Sequence, residues 1–205
     1  RAVTNYKAGE RITFVNAMQP KGGTWAEYTV VADGSLILRI PESMSFETAA
    51  AVPVAGNTAI KAFRALDLQP GDSLFIAGGS GAIGTLAIQI AAARGYRVAA
   101  SASAKNHQYM RSLGAEKVVD YHDSDWQEQI TAWVPGGVDA AIATQPGTAS
   151  NSQAVVKDGG EIVAVSGDQF VPVRGIMLKQ IPHNADVTDE MSDLLRQVAS
   201  GEFQL

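Results

Sequence analysis

Cysteine is absent from the 205 residues. That excludes a disulfide framework, a thiol nucleophile and any cysteine-ligated zinc site within the chain. Charge is also scarce. Asp, Glu, Lys and Arg make up only 18% of the residues, and 21 acidic against 16 basic side chains leave a net charge of −5. There is no basic field to neutralise phosphates along a strand, so no nucleic-acid partner is expected. Long apolar runs are missing as well. The longest, 82–93, is interrupted by Thr85 and Gln89 and is too short to span a bilayer, so no membrane partner is expected. Residues 1–10 are polar and contain no apolar signal core, which points to a cytoplasmic protein. The first residue is not Met and the pattern starts in mid-stride, as in a fragment or a processed chain.

The residues that are plentiful are small and apolar. Hydrophobic side chains reach 46% and glycines number 20, a balance that argues against disorder. The length allows one large domain, or one domain plus part of another, with a sizeable core. Residues 1–45 read as β-rich. Gly22-Gly23 and Asp33-Gly34 are turn signals. Between them 24–31 carries β-branched and aromatic residues, and 36–40 is a second strand candidate stopped by Pro41. Ser45 stands where an N-cap belongs, ahead of a helix beginning at Phe46. Pro53 and Gly56 then punctuate before a second helix over 58–66.

From Pro70-Gly71-Asp72 onward strands and helices alternate. Strands are expected at 73–77, 97–100, 118–119, 138–143, 161–165 and 176–181. Helices are expected from 82 toward Gly95, over 107–113, from an Asp125 cap to 133, between the fourth and fifth of these strands, and over 190–199. Such alternation implies parallel strands with right-handed crossovers, hence a doubly wound α/β sheet of the Rossmann type. The chain divides into a β-rich piece, 1–45, and an α/β domain, 46–205.

The most informative stretch is Gly78-Gly79-Ser80-Gly81-Ala82-Ile83-Gly84. Gly79, Gly81 and Gly84 match G-x-G-x-x-G, and the motif follows a buried strand and opens a helix, the context that gives it meaning. Gly79 would allow the tight turn, Gly81 the approach of a pyrophosphate, and Gly84 close packing of helix on strand. The free N–H groups at the helix N-terminus would face the phosphates. A purely structural glycine turn is the alternative. A second one is a nucleophile elbow, Gly78-x-Ser80-x-Ala82, with Ser80 as nucleophile and His183 as base; Ala82 stands where that motif wants glycine, and Gly81 and Gly84 go unexplained. No acidic residue occurs over 85–115, where an NAD site places its ribose-binding carboxylate. Ser101, Ser103 and Lys105 stand there instead and suit a 2′-phosphate, so NADP(H) is favoured over NAD(H).

With these residues in view, the chain resembles the zinc-independent quinone oxidoreductases of the medium-chain dehydrogenase/reductase superfamily, the group related to zeta-crystallin. The resemblance rests on Gly22-Gly23-Thr24-Trp25-Ala26-Glu27-Tyr28, on the run from Ile40-Pro41-Glu42 to Ala51-Val52-Pro53, on Asn57-Thr58-Ala59, on Leu68-Gln69-Pro70-Gly71-Asp72 leading into the glycine turn, and on Leu113-Gly114-Ala115 and Asp120-Tyr121. It implies a partial GroES-like catalytic domain beside a Rossmann domain, with NADPH in the cleft. Hydride would pass to a quinone or an α,β-unsaturated carbonyl, the small-molecule electron acceptor, and a homodimer would form through the sheet edge near 176–181. By position, Gly79, Ser80, Gly81, Ala82, Ile83 and Gly84 would hold the pyrophosphate. Ser101, Ser103, Lys105 and Tyr121 would surround the 2′-phosphate. Asn57 and Thr58 would lie near the nicotinamide, and Ser166-Gly167 would approach its carboxamide.

Three departures accompany the resemblance. Val54 stands about where zinc-dependent relatives carry a cysteine, and His107, His122 and His183 show no ligand spacing, so no metal is expected. Family chains are longer at both ends, which leaves open a non-catalytic NADP(H)-binding module, such as a redox sensor. Thr144-Gln145-Pro146, after the fourth strand of the alternating series, is poorer in glycine than the family pattern. No catalytic proton donor is assigned: Tyr28 reads as a strand residue and Tyr121 as a cofactor contact.

Overall fold

A computed structural model describes residues 5–16, 23–32 and 34–205. Gly22 and Asp33, halves of the two expected turns, lie outside these. Two three-residue strands, β1 (Ile12–Phe14) and β2 (Ile37–Arg39), pair antiparallel near the start of the chain. The expected strand over 24–31 does not form. Trp25, Tyr28 and Val30 are fully or largely exposed, and no described strand pairs with them. β-propensity reports packing on a pleated, half-buried surface, and among the described residues this segment has no such surface to join.

Ser45 does cap helix α1 (Phe46–Arg64): its Oγ accepts the Thr48 N–H at 3.1 Å. The expected break at Pro53 and Gly56 is overturned, because α1 runs through both. Pro53 has no N–H to give the Ala49 carbonyl. The hydroxyl of Thr13, buried in β1, donates to that carbonyl instead, at 3.1 Å. Gly56 serves packing: a Cβ there would lie 2.5 Å from Leu194 Cδ2 on the last helix.

The alternating region forms a six-stranded parallel sheet, as its pattern implies. Along the chain its elements are β3 (Ser73–Ala77), α2 (Ala82–Ala93), β4 (Arg97–Ser101), α3 (His107–Ser112), β5 (Lys117–Val119), α4 (Trp126–Trp133), β6 (Val138–Ala143), α5 (Thr148–Ser152), β7 (Val156–Ala164), β8 (Met177–Lys179) and α6 (Thr188–Ser200). The strand order is β5-β4-β3-β6-β7-β8. The chain therefore builds outward from β3 in one direction and then returns to build outward from β6 in the other. Three local readings are corrected. A 3-10 turn at Ala104–Asn106 precedes α3. The crossover helix α5 is a single turn. β7 starts before its expected origin, with a register shift against β6 between Val138 and Ala140.

Alternate residues of the central strands feed two cores. Leu74, Ile76, Ala100 and Ile142 face α1, α2, α3 and α6. Phe75, Ala77, Ala99 and Ala141 face α4 and α5. Full burial on both faces is why β3 reads as a continuous apolar run. Polar braces hold the ends of the strands away from the glycine turn. Asp139 accepts from Ser73 N–H at 2.8 Å and from Ser73 Oγ–H at 2.6 Å, and pairs with Lys157. Burial pushes its carboxyl upward, but Lys157 and Ser73 outweigh that and hold it below the ordinary range. Glu161, in β7, accepts the Asp67 N–H at 2.8 Å and pairs with Lys179 at 2.9 Å. No helix among the described residues is long and apolar enough to cross a membrane.

Candidate functional site: the crevice between β3 and β6

Adjacent parallel strands whose following connections run in opposite directions leave a crevice at their carboxyl ends. Here those strands are β3 and β6, and the turn after β3 is the glycine stretch. Its three motif glycines do different things. The left-handed residue is Gly78, with φ of 84°, and not Gly79 as the motif alone implies. Gly79 is a packing glycine, since a Cβ would lie 2.7 Å from Met110 Sδ and 2.8 Å from Ala100 Cβ. Gly84 is another, since a Cβ would lie 2.6 Å from Gly79 Cα. Gly81 is different: an added Cβ would meet only Gly78 O at 3.5 Å and Gln145 Nε2 at 3.8 Å, ordinary contacts. Its backbone is extended, with φ of −80°, so neither conformation nor internal packing requires glycine there. Space is kept open at the N-terminus of α2, whose first N–H groups have no intrahelical acceptor.

The turn is fastened from both neighbouring strands. Ser101, at the end of β4, accepts the Gly78 N–H on its hydroxyl at 3.3 Å and the Gly79 N–H on its carbonyl at 2.9 Å. Thr144, after β6, donates its hydroxyl to Ala77 O at 2.7 Å and its N–H to the same oxygen at 3.1 Å. A cavity of about 470 Å³ opens beside the turn, over Phe75 and Ala77 and between α4 and α5. Ser80, Gly81, Ser101 and Tyr121 line it, with Trp126, Gln145 and Asn151. Trp126 stacks on Phe75 with ring centroids 5.5 Å apart.

Of the residues singled out in the sequence, Ser80, Gly81, Ser101 and Tyr121 thus meet in one crevice. Ala82 and Ile83 open α2, the first exposed and the second half-buried. Ser103 and Lys105 follow β4, with Lys105 exposed in the 3-10 turn. Asn57 lines a separate groove with Lys61 and His183. Thr58 bonds within α1, to Val54 O at 2.7 Å. Ser166 and Gly167 are exposed after β7. Ser80 and His183 line different clefts, and no hydrogen bond joins them among the described residues.

One carboxylate had no role assigned to it from the sequence. Asp120 follows β5, outside the 85–115 window, and the pairing of β4 with β5 brings it to the end of β4. Its Oδ2 accepts the Ala104 N–H at 2.7 Å, and its Oδ1 accepts from His122 N at 3.0 Å and faces His122 Nδ1 at 2.7 Å. The His122 N–H bond is the chief cause of a carboxyl held below its ordinary range. With both oxygens engaged, this carboxylate braces two loops. Gln145 and Gly78 also went unrecognised; the departure at 144–146 was the signal for the first.

The chain has no cysteine, no three His, Asp or Glu side chains gather at a metal-binding distance among the described residues, and Val54 is an exposed hydrocarbon on α1.

Fold and crevice together define a Rossmann-type α/β protein with its cleft at the strand-order reversal. Residues 82–187 match the zinc-binding dehydrogenase family, and the chain belongs to that family, among the quinone oxidoreductase-like members of the medium-chain dehydrogenase/reductase superfamily. It is 34% identical over 177 residues to a trans-enoyl reductase, thnE, of Trichoderma harzianum, covering 77% of this chain and 48% of that one. It is 31% identical over 174 residues to a chloroplastic NADPH-dependent alkenal/one oxidoreductase of Arabidopsis thaliana, covering 81% and 43%. The solved quinone oxidoreductase of Coxiella burnetii superposes with a TM-score of 0.83 at 26% identity, over 98% of this chain and 64% of that one. The chain spans about half the length of the curated relatives it matches.

Proposed function

We propose that the protein is an NADPH-dependent oxidoreductase that reduces a quinone or an α,β-unsaturated carbonyl without zinc. The observation that carries this reading is Gly81: a position left without a side chain where neither backbone nor packing demands it, at a helix N-terminus. A pyrophosphate explains that vacancy, because a Cβ would obstruct it and the helix end would attract it. When bound, NADPH supplies the hydride to the acceptor. The chain's own part is to bind and orient. The glycine turn and Ser80 hold the phosphates, and Trp126 and the apolar floor exclude water from the adenosine side. Ser103, Lys105 and Tyr121 take the 2′-phosphate. The crevice supports NADPH over NADH because no carboxylate is among its described lining residues to take the ribose hydroxyls. Asn57, Thr58, Ser166 and Gly167 are assigned to the nicotinamide side. Residues 1–45 are assigned to a partial GroES-like catalytic domain and 46–205 to the Rossmann domain. The protein is taken to be cytoplasmic and to pair as a homodimer along the β8 edge, where Met177 is exposed.

The test is NADPH oxidation, followed by its absorbance, with a quinone and with an enone as acceptors. Turnover with NADPH exceeding that with NADH is expected. Binding of NADPH without turnover on either acceptor would instead favour a non-catalytic module.

A further inference from the structure

The loop after β6 is held at nearly every point except one side chain. Thr144 is bonded to β3 through its hydroxyl and its N–H. The carbonyl of Gln145 accepts from Thr148 Oγ1 at 2.6 Å and from Thr148 N at 3.2 Å. Gly147 N–H donates to Asp168 Oδ2 at 2.7 Å. The backbone of Gln145 is therefore placed, while its carboxamide makes no hydrogen bond among the described residues. That side chain reaches across the crevice to the glycine turn. Its Cγ lies 3.1 Å from where a Cβ on Gly78 would stand, and its Nε2 lies 3.8 Å from where a Cβ on Gly81 would stand. The open space at Gly81 is thus bounded by the N-terminus of α2 on one side and by an unpartnered amide donor on the other.

Charge makes the position telling. The crevice lining holds hydroxyls, amides, aromatics and small residues, and none of its described residues is charged. A diphosphate seated there would be balanced by oriented neutral donors alone, namely the helix N–H groups, Ser80 and whatever faces them across the gap.

We propose that Gln145 is a cofactor-binding residue, its Nε2–H donating to a pyrophosphate oxygen of the dinucleotide from the side opposite α2. This rests on the dinucleotide reading above. The pyrophosphate is common to NADPH and NADH, so Gln145 contributes equally to both, whereas Lys105 acts on NADPH alone.

The experiment is calorimetric titration of the purified protein and its variants with NADPH and with NADH. Gln145→Glu keeps the shape but puts the only carboxylate of the lining against the diphosphate. It is expected to weaken both nucleotides more than Gln145→Leu does, and Gln145→Leu should weaken them about tenfold to a hundredfold, the loss of one hydrogen bond to a charged group. Lys105→Ala should weaken NADPH only. The side chain is exposed and unbonded, so the unfolding temperatures of the Gln145 variants should match that of the unaltered protein. If both Gln145 variants bind both nucleotides like the unaltered protein while Gly81→Val abolishes binding, the assignment of Gln145 is overturned and the dinucleotide reading stands. If Gln145→Glu weakens NADPH alone, the contact is to the 2′-phosphate and the pyrophosphate placement is overturned. If the unaltered protein binds neither nucleotide, the dinucleotide reading fails and this assignment with it.

Discussion

At the scale of single residues, the glycine turn separates two uses of the same side chain. Gly84 and Gly79 are glycine because protein atoms occupy the place of a Cβ, backbone atoms in the first case and Met110 and Ala100 in the second. Gly81 is glycine although the protein leaves that place open. The two kinds fail differently. Gly84→Ala forces a methyl group against the backbone of Gly78 and Gly79, which cannot yield as a flexible side chain would, and overpacking of this kind costs about 1–3 kcal/mol or more. Gly81→Val finds no contact closer than 3.5 Å at its Cβ but replaces the N-cap of α2, so its cost to stability should be about 0.5–1 kcal/mol, below that of Gly84→Ala. Urea unfolding of the two variants beside NADPH titration should therefore show different profiles, one losing mainly stability and the other mainly the nucleotide. Equal destabilisation by both would mean that the turn is a packing device throughout. The motif alone could not make this division. Spacing located the glycines, but which one turns the chain depends on φ, and Gly78 lies outside the three-glycine pattern.

At the scale of elements, α1 shows how tertiary contacts overrule a local signal. A proline and a glycine three residues apart read as a break, and propensity alone supports that reading. The helix continues because each liability is met from elsewhere in the chain. Thr13 supplies the donor that Pro53 lacks, and α6 packs into the gap that Gly56 leaves. Thr13→Val removes that donor while keeping the shape. The buried Ala49 carbonyl then loses its partner, at about 1–3 kcal/mol. Pro53→Ala restores an N–H to the same carbonyl. In that background Thr13→Val should cost clearly less, and the double-mutant cycle measured by urea unfolding gives the difference. Additive losses would mean that the hydroxyl is not standing in for the missing N–H. The same logic accounts for the failed strand at 24–31, where the β-forming side chains are present but no partner strand is among the described residues.

At the scale of the whole molecule, the sheet was legible because buried parallel strands carry their own period and punctuation. The run 73–77 and the run 138–143 match the observed strands to the residue. What was not legible was adjacency across strands. Asp120 reaches the end of β4, and Gln145 the crevice, only because β5 lies beside β4 and β6 beside β3, contacts that span long stretches of sequence. The crevice is therefore built from both halves of the sheet, with β5-β4-β3 supplying the glycine turn, Ser101 and Tyr121 and β6-β7-β8 supplying the facing loop. A ligand seated there holds the two halves together, and any ligand that binds only the folded state stabilises it by mass action. At one hundred times its dissociation constant NADPH should add about 2.7 kcal/mol, which for a chain of this size raises the unfolding temperature by roughly 5–10 °C. Dialysis should reverse the shift. Hydrogen exchange should slow on both sides of the reversal, at the start of α2 and across residues 144–152. Slowing confined to the glycine turn would mean that the nucleotide rests on one half of the sheet and that the loop after β6 takes no part in holding it.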